Sequence, residues 1–246
     1  MDPRAPLTEL ISRLEALYGP PAPPPVTDPF EMVVWENAAY LVDDDRRARV
    51  FARLREEVGL DPEDILGTPT PVLADVIREG GMQPEHRAEK LLKAADTALA
   101  VGVDLLRELI RTAPDKARKV LQKFPGMGEP GADKILLFSR AKRTLAPDSN
   151  ALRVLVRLGF GEEDENYGRM FRSADAAVAP ELPGDFPWLI RAHQLLRRHG
   201  QEICRRGAPL CEACPVTGGC RWFLERSSAK QGPKGQQGHQ GHQGQK

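Results

Sequence analysis

The stretch VLQKFPGMGEPGADKILLF, residues 120–138, holds two helical patterns with a single turn between them. One helix ends near Lys123, the turn Phe124-Pro125-Gly126-Met127-Gly128 follows, and a second helix starts near Pro130. Glycine admits positive φ and lets another backbone approach closely. A turn that leaves amides free at a helix N-terminus can hold an anion such as a DNA phosphate, and it grips backbone rather than base edges. A tight helix–helix turn with no ligand is the plainer reading of the same residues.

The charge around this turn favours the first reading. The formal net charge of the 246 residues is zero, but it is unevenly spread. Residues 31–110 carry 10 Lys/Arg against 17 Asp/Glu, whereas residues 111–160 carry 11 against 4. A basic centre inside a neutral chain is compatible with phosphate binding. Apolar content of 41% and charged content of 28% are those of an ordinary globular protein. No stretch reaches the roughly 18 apolar residues of a membrane span, and MDPRAPLTEL has no signal-peptide core. A cytoplasmic location follows as the expectation, and there clustered thiols bind metal more often than they pair.

Outward from the turn, helical patterns dominate. Leu7, Leu10, Ile11, Leu14 and Leu17 recur at spacings of three and four and stop at Gly19; PPAPPP then forms a stiff linker. DPFEMVVWENAAYLV reads as a largely buried helix with Asp28 as N-cap and Pro29 as its first residue. Ala88, Leu91, Leu92, Ala95 and Leu99 mark another helix, and DFPWLIRAHQLLRRHGQEIC leads into the cysteines. With no sustained alternation and no Asn-Gly hairpin, the expected class is all-α. The tail after Arg226 is low-complexity and expected to be disordered.

Two further elements carry chemistry. All four cysteines fall in seventeen positions, as Cys204, Cys211, Cys214 and Cys220. By themselves they permit tetrahedral zinc or an iron–sulfur cluster equally. Asp148, in APDSNALRV, sits at an N-cap position, where the helix amides and dipole favour an ionised carboxylate.

An FPGMG turn, an aspartate twenty residues after its second glycine, and a C-x6-C-x2-C-x5-C array occur here in that order. The combination resembles the endonuclease III family of helix-hairpin-helix (HhH-GPD) DNA glycosylases, over roughly residues 29 to 223. The resemblance implies two helical lobes flanking a DNA-binding cleft. Residues 28–160 would form a bundle with the hairpin and 161–226 a cluster lobe joined by the N-terminal segment 1–27, leaving 227–246 as the tail. It implies a [4Fe-4S] cluster held by the four cysteines, serving structure and DNA positioning. DNA contacts would come from Gly126, Met127, Gly128 and Gly131 of the hairpin, and from Arg205 and Arg206 of the cluster loop. The expected partner is double-stranded DNA with a damaged or mismatched base, met by a monomer in the nucleoid.

The branch is read from local departures. Strand-cleaving members carry a lysine two residues after the hairpin's second glycine, where this chain has Pro130; Lys134 lies a helical turn further on. The sequence resembles the monofunctional adenine-mismatch (MutY-type) and thymine-mismatch glycosylases in three places: Pro29 with Glu36 seven residues later, Asp148-Ser149-Asn150, and GMQPEHRAEKL. That resemblance implies hydrolysis of an N-glycosidic bond, with Glu36 protonating the base, Asp148 facing the sugar cation and Asn150 orienting water or Asp148. A raised pKa on the apolar helix would keep Glu36 partly protonated. Tyr40 would wedge into the duplex. A lyase using Lys134 and a non-catalytic DNA-binding protein are the alternatives.

Overall fold

The computed structural model describes residues 4–230. Thirteen α-helices follow one another, with no strand among the described residues: α1 (Leu7–Tyr18), α2 (Pro29–Ala38), α3 (Asp44–Glu57), α4 (Pro62–Gly67), α5 (Thr70–Val76), α6 (Pro84–Val101), α7 (Val103–Thr112), α8 (Pro114–Leu121), α9 (Glu129–Phe138), α10 (Ser149–Leu158), α11 (Tyr167–Val178), α12 (Phe186–Glu202) and α13 (Arg221–Lys230). Proline repeatedly opens a helix, as in α2, α6 and α8, where its missing N–H costs nothing. Asp28, Asp43 and Asp148 each cap a helix by accepting its first free amides.

Two large cores divide the chain, with a small third cluster of Leu152, Val156, Phe171 and Ala174 between α10 and α11. The first gathers buried residues from Val26 to Leu136, contributed by α2 through α9. The second joins Leu7, Leu10, Ile11 and Leu14 of α1 to residues between Leu137 and Cys220. Each of those four α1 side chains is essentially inaccessible and contributes about 1.5–3 kcal/mol of burial, so the chain's start belongs to the lobe that its end completes. Helix α10, expected in the middle bundle, packs instead in the second core, most extensively against α12, so the division falls near residue 137 rather than 160. The helix at 29–42 is also shorter than its pattern suggests. It ends at Ala38, and Tyr40 and Leu41 lie in the following loop. Of the low-complexity tail, 227–230 are the last turn of α13, and the remainder lies outside the described residues. No described helix is long and apolar enough to cross a membrane.

The hairpin joins α8 to α9. Gly126 takes φ +76°, a conformation side chains rarely adopt, and a Cβ there would come within 3.0 Å of the Asn37 amide. Asn37, buried on α2, donates to Val33 O and to Pro125 O at 3.0 Å and so moors the turn to α2. Buried Asp133 on α9 receives Arg118 of α8 at 2.7 and 3.0 Å and Lys142 at 3.0 Å. A fully buried carboxylate with two cationic partners fixes how the two helices cross.

A candidate active-site cleft and a cysteine shell

A cleft of about 710 Å³ lies between the lobes. Glu36 and Arg47 reach it from the first lobe, and Asp148, Asn150 and Arg197 from the second; Gly126 of the hairpin borders it. Residues far apart in sequence are thus brought to one opening.

Asp148 is set by its surroundings on both sides. The preceding segment 144–147 is buried; Ala146 takes φ +43° with its amide on Thr144 Oγ1, and Leu145 O accepts from His193 Nδ1 at 2.9 Å. Non-glycine residues in this region store strain and persist where neighbours over-determine them. Asp148 Oδ1 accepts the amides of Asn150 and Ala151, both at 2.9 Å, as the cap of α10. Its Oδ2 accepts from Arg197 Nε at 3.2 Å. Asn150 Oδ1 accepts from Arg153, whose guanidinium also bonds Gly200 O and Cys204 O.

Glu36 differs from its expected state. Burial alone would push its pKa up, but Lys134 and then Arg47, with the Lys134 hydrogen bond added, outweigh burial and hold the carboxyl below its ordinary value. Lys134 Nζ donates to Glu36 Oε1, and Arg47 Nη1 stands 3.9 Å from the same oxygen. Glu36 is therefore an ionised, paired carboxylate, not a half-protonated acid. The same pair engages the amine of Lys134, whose side chain is 14% exposed.

The hairpin and lip residues divide by orientation. Gly126 and Gly128 are exposed, and their amides have no protein acceptor among the described residues. Met127, expected at a DNA surface, turns inward. It is 5% exposed, donates its amide to Phe124 O, and lies 3.1 Å from where a Cβ on Gly131 would be. Met127 and Gly131 therefore pack the hairpin. Tyr40 is exposed on the cleft's lip, with Leu41 and Met82 more exposed still. The two lip loops are clasped by Arg87, which is 4% exposed and donates to the carbonyls of Ala38, Ile77, Arg78, Gly81 and Met82. They also touch through backbone: a Cβ on Gly81 would sit 2.2 Å from Tyr40 O.

Near the C-terminal end, Cys204, Cys214 and Cys220 pack against the second core, and Cys211 is partly buried. Burial raises the pKa of Cys211, Cys214 and Cys220, that of Cys214 to about 11, and the neighbouring Cys204 sulfur pushes each the same way. Thiols in that state need a cation to ionise. Arg157 reaches Cys204 Sγ at 3.3 Å and holds the backbone of the following loop at Arg205 O and Arg206 O, leaving both arginines exposed. Among the described residues no group of three or more His, Cys, Asp or Glu side chains is placed to hold a metal ion.

The sequence pointed to Glu36, Asp148, Asn150 and Tyr40, and the cleft brings them together. It missed Arg47, Arg197 and Arg153, which carry no motif and become meaningful only through their partners. No protein-family profile matches the chain. An endonuclease III of Sulfolobus acidocaldarius is 26% identical over 176 residues, 71% of this chain and 74% of that protein. A non-covalent endonuclease III–DNA complex superposes with a TM-score of 0.70 at 20% identity, covering 90% of this chain and 97% of that one. A thermostable thymine-DNA glycosylase gives a TM-score of 0.68 at 20% identity, over 89% and 97%. The fold is that of endonuclease III. Sequence similarity and fold together support the endonuclease III-like helix-hairpin-helix superfamily for this chain.

Proposed function

We propose that this protein is a monofunctional DNA glycosylase that hydrolyses the N-glycosidic bond of an extruded damaged or mismatched base. The observation that carries the reading is the convergence of Glu36, Gly126, Asp148 and Asn150 on one cleft between two lobes. A base must leave the stack before any side chain can reach its glycosidic bond, and the cleft gives it a place to go. The exposed amides of Gly126 and Gly128 would hold a phosphate beside it, with Arg205 and Arg206 adding charge from the cysteine loop. Tyr40, Leu41 and Met82 would fill the space the nucleotide leaves.

In this reading the C1′–N bond breaks with its electron pair going to the base. The Asp148 carboxylate faces the cationic sugar, and water adds its oxygen to C1′ while its proton passes by way of that carboxylate to the nitrogen of the departed base. Glu36, already ionised, cannot start as the acid; Lys134 and Arg47 beside it offer positive charge to the departing base. Cys204, Cys211, Cys214 and Cys220 would hold a [4Fe-4S] cluster, which supplies cross-linking of the C-terminal loop and takes no part in base removal.

Pro130, which has no amine, supports hydrolysis without strand cleavage, as does the engagement of Lys134 by Glu36. The test is excision on a panel of duplexes bearing uracil, thymine opposite guanine, adenine opposite 8-oxoguanine, oxidised pyrimidines, hypoxanthine and alkylated bases, each read with and without hot alkali. Breaks that appear only after alkali, and vanish in Asp148→Asn, are expected. Breaks without alkali that vanish in Lys134→Gln would assign a lyase, and tight binding with no product would assign a DNA-binding protein.

A further inference from the structure

We propose that Arg197 is a positioning residue for Asp148, and that Asp44 holds Arg197 in place from the opposite lobe. The inference rests on the glycosylase reading and adds to it a part that no motif marks.

Two amides fix Asp148 Oδ1, but a cap bond leaves the carboxylate free to swing about it. The second anchor is Arg197 Nε on Oδ2 at 3.2 Å. Arg197 is long and three-quarters buried, and an unsupported arginine would spend its rotamer freedom elsewhere. Its two terminal nitrogens instead meet the two carboxylate oxygens of Asp44, Nη2 to Oδ1 at 2.6 Å and Nη1 to Oδ2. This is a fork-to-fork pair that lysine cannot reproduce. Asp44 opens α3, in the first lobe, where the helix dipole favours a carboxylate. Arg197 and Asp148 belong to the second lobe. The guanidinium is therefore shared between two carboxylates from two lobes, and the set keeps one net negative charge. A lone Arg197 would cancel the charge of Asp148; with Asp44 present, Asp148 is oriented without being neutralised. The other charged or titratable groups that act on Asp148 are Arg153 on its own helix, His193 on α12 and Tyr167 on α11.

The test uses the full chain with two probes: the panel duplex on which wild type is active, and a duplex with an uncleavable tetrahydrofuran abasic site. Arg197→Gln is expected to slow single-turnover excision about 10- to 100-fold, with abasic-duplex Kd changed by less than about threefold. Arg197→Lys should recover only part of the rate. Asp44→Asn, at a more exposed side chain, should slow excision in the same direction. The double variant should be no slower than Arg197→Gln alone. Rates within about twofold of wild type for Arg197→Gln, with Asp148→Asn inactive, would overturn the proposal and leave the glycosylase reading standing. So would a loss confined to Kd with a shallower salt dependence, or tighter binding by Asp44→Asn, since either makes Arg197 a phosphate contact. A wild-type chain inactive on every duplex would overturn both.

Discussion

At Asp148 one carboxylate has two tasks on two different oxygens, and substitution can separate them. Asparagine caps a helix as well as aspartate does but brings no charge. Asp148→Asn should therefore stay within about 1 kcal/mol of wild-type stability by urea unfolding while losing roughly 10²-fold or more of its excision rate. Asp148→Ala should lose the rate and also about 1 kcal/mol of cap. Equal activity of Asp148→Asn and wild type would remove Asp148 from the chemistry. Asp148 was legible in the sequence because a cap is a local event, written in the residues that follow it. The state of Glu36 was not. An apolar helix suggested a protonated acid, but its partner Lys134 lies 98 residues away and arrives only with the fold. Coulombic pairing at this distance reverses the direction that burial sets.

Single elements show the same division between local and distant causes. The pattern of 29–42 gave the start of α2 correctly, since Asp28 and Pro29 act within one turn. Its end is imposed from outside, where Tyr40 N donates to Gly80 O and Arg87 ties the carbonyl of Ala38 to those of the neighbouring loop. The acidic run Asp43-Asp44-Asp45 is a cap and first turn with one member spent on Arg197. Arg87→Met should lower stability by more than about 2 kcal/mol, because several buried carbonyls lose their donor. A melting temperature unchanged from wild type would show that water replaces the guanidinium. On α12, burial first and Lys134 second depress the pKa of His193 to about 4. Its unfolded value is about 6.5, so the stability it contributes is full above that pH and is lost as the pH falls toward 4. Urea unfolding of His193→Gln should show a shallower fall across this window than wild type. Buried His199 titrates in the same range, so the difference between the two proteins is the quantity to read. Parallel curves would mean that His193 is protonated without penalty.

For the molecule as a whole, the four cysteines suggest a shared purpose only in combination with the hairpin, and Cys204, Cys214 and Cys220 pack against the second core. Wild-type protein purified without air should carry about four iron and four sulfide per chain, and Cys220→Ser should lose most of both together with part of its thermal stability. Stoichiometric zinc in place of iron would overturn the cluster. What no local pattern could show is how the lobes divide. Hydrophobic periodicity marks which face of a helix is buried but not which core receives it, and α10 packs in the second core.

That division has a consequence for how the protein is made. The first lobe is one uninterrupted segment and can close as soon as it leaves the ribosome. The second is built from both ends of the chain, so α1 must wait, its apolar face uncovered, until α12 and the cysteines have been synthesised. The hairpin can thus be complete while the cleft still lacks its second wall. On the proposed function, a nascent chain could meet DNA before it could act on it, because α12 and the cysteine segment follow the hairpin in the chain.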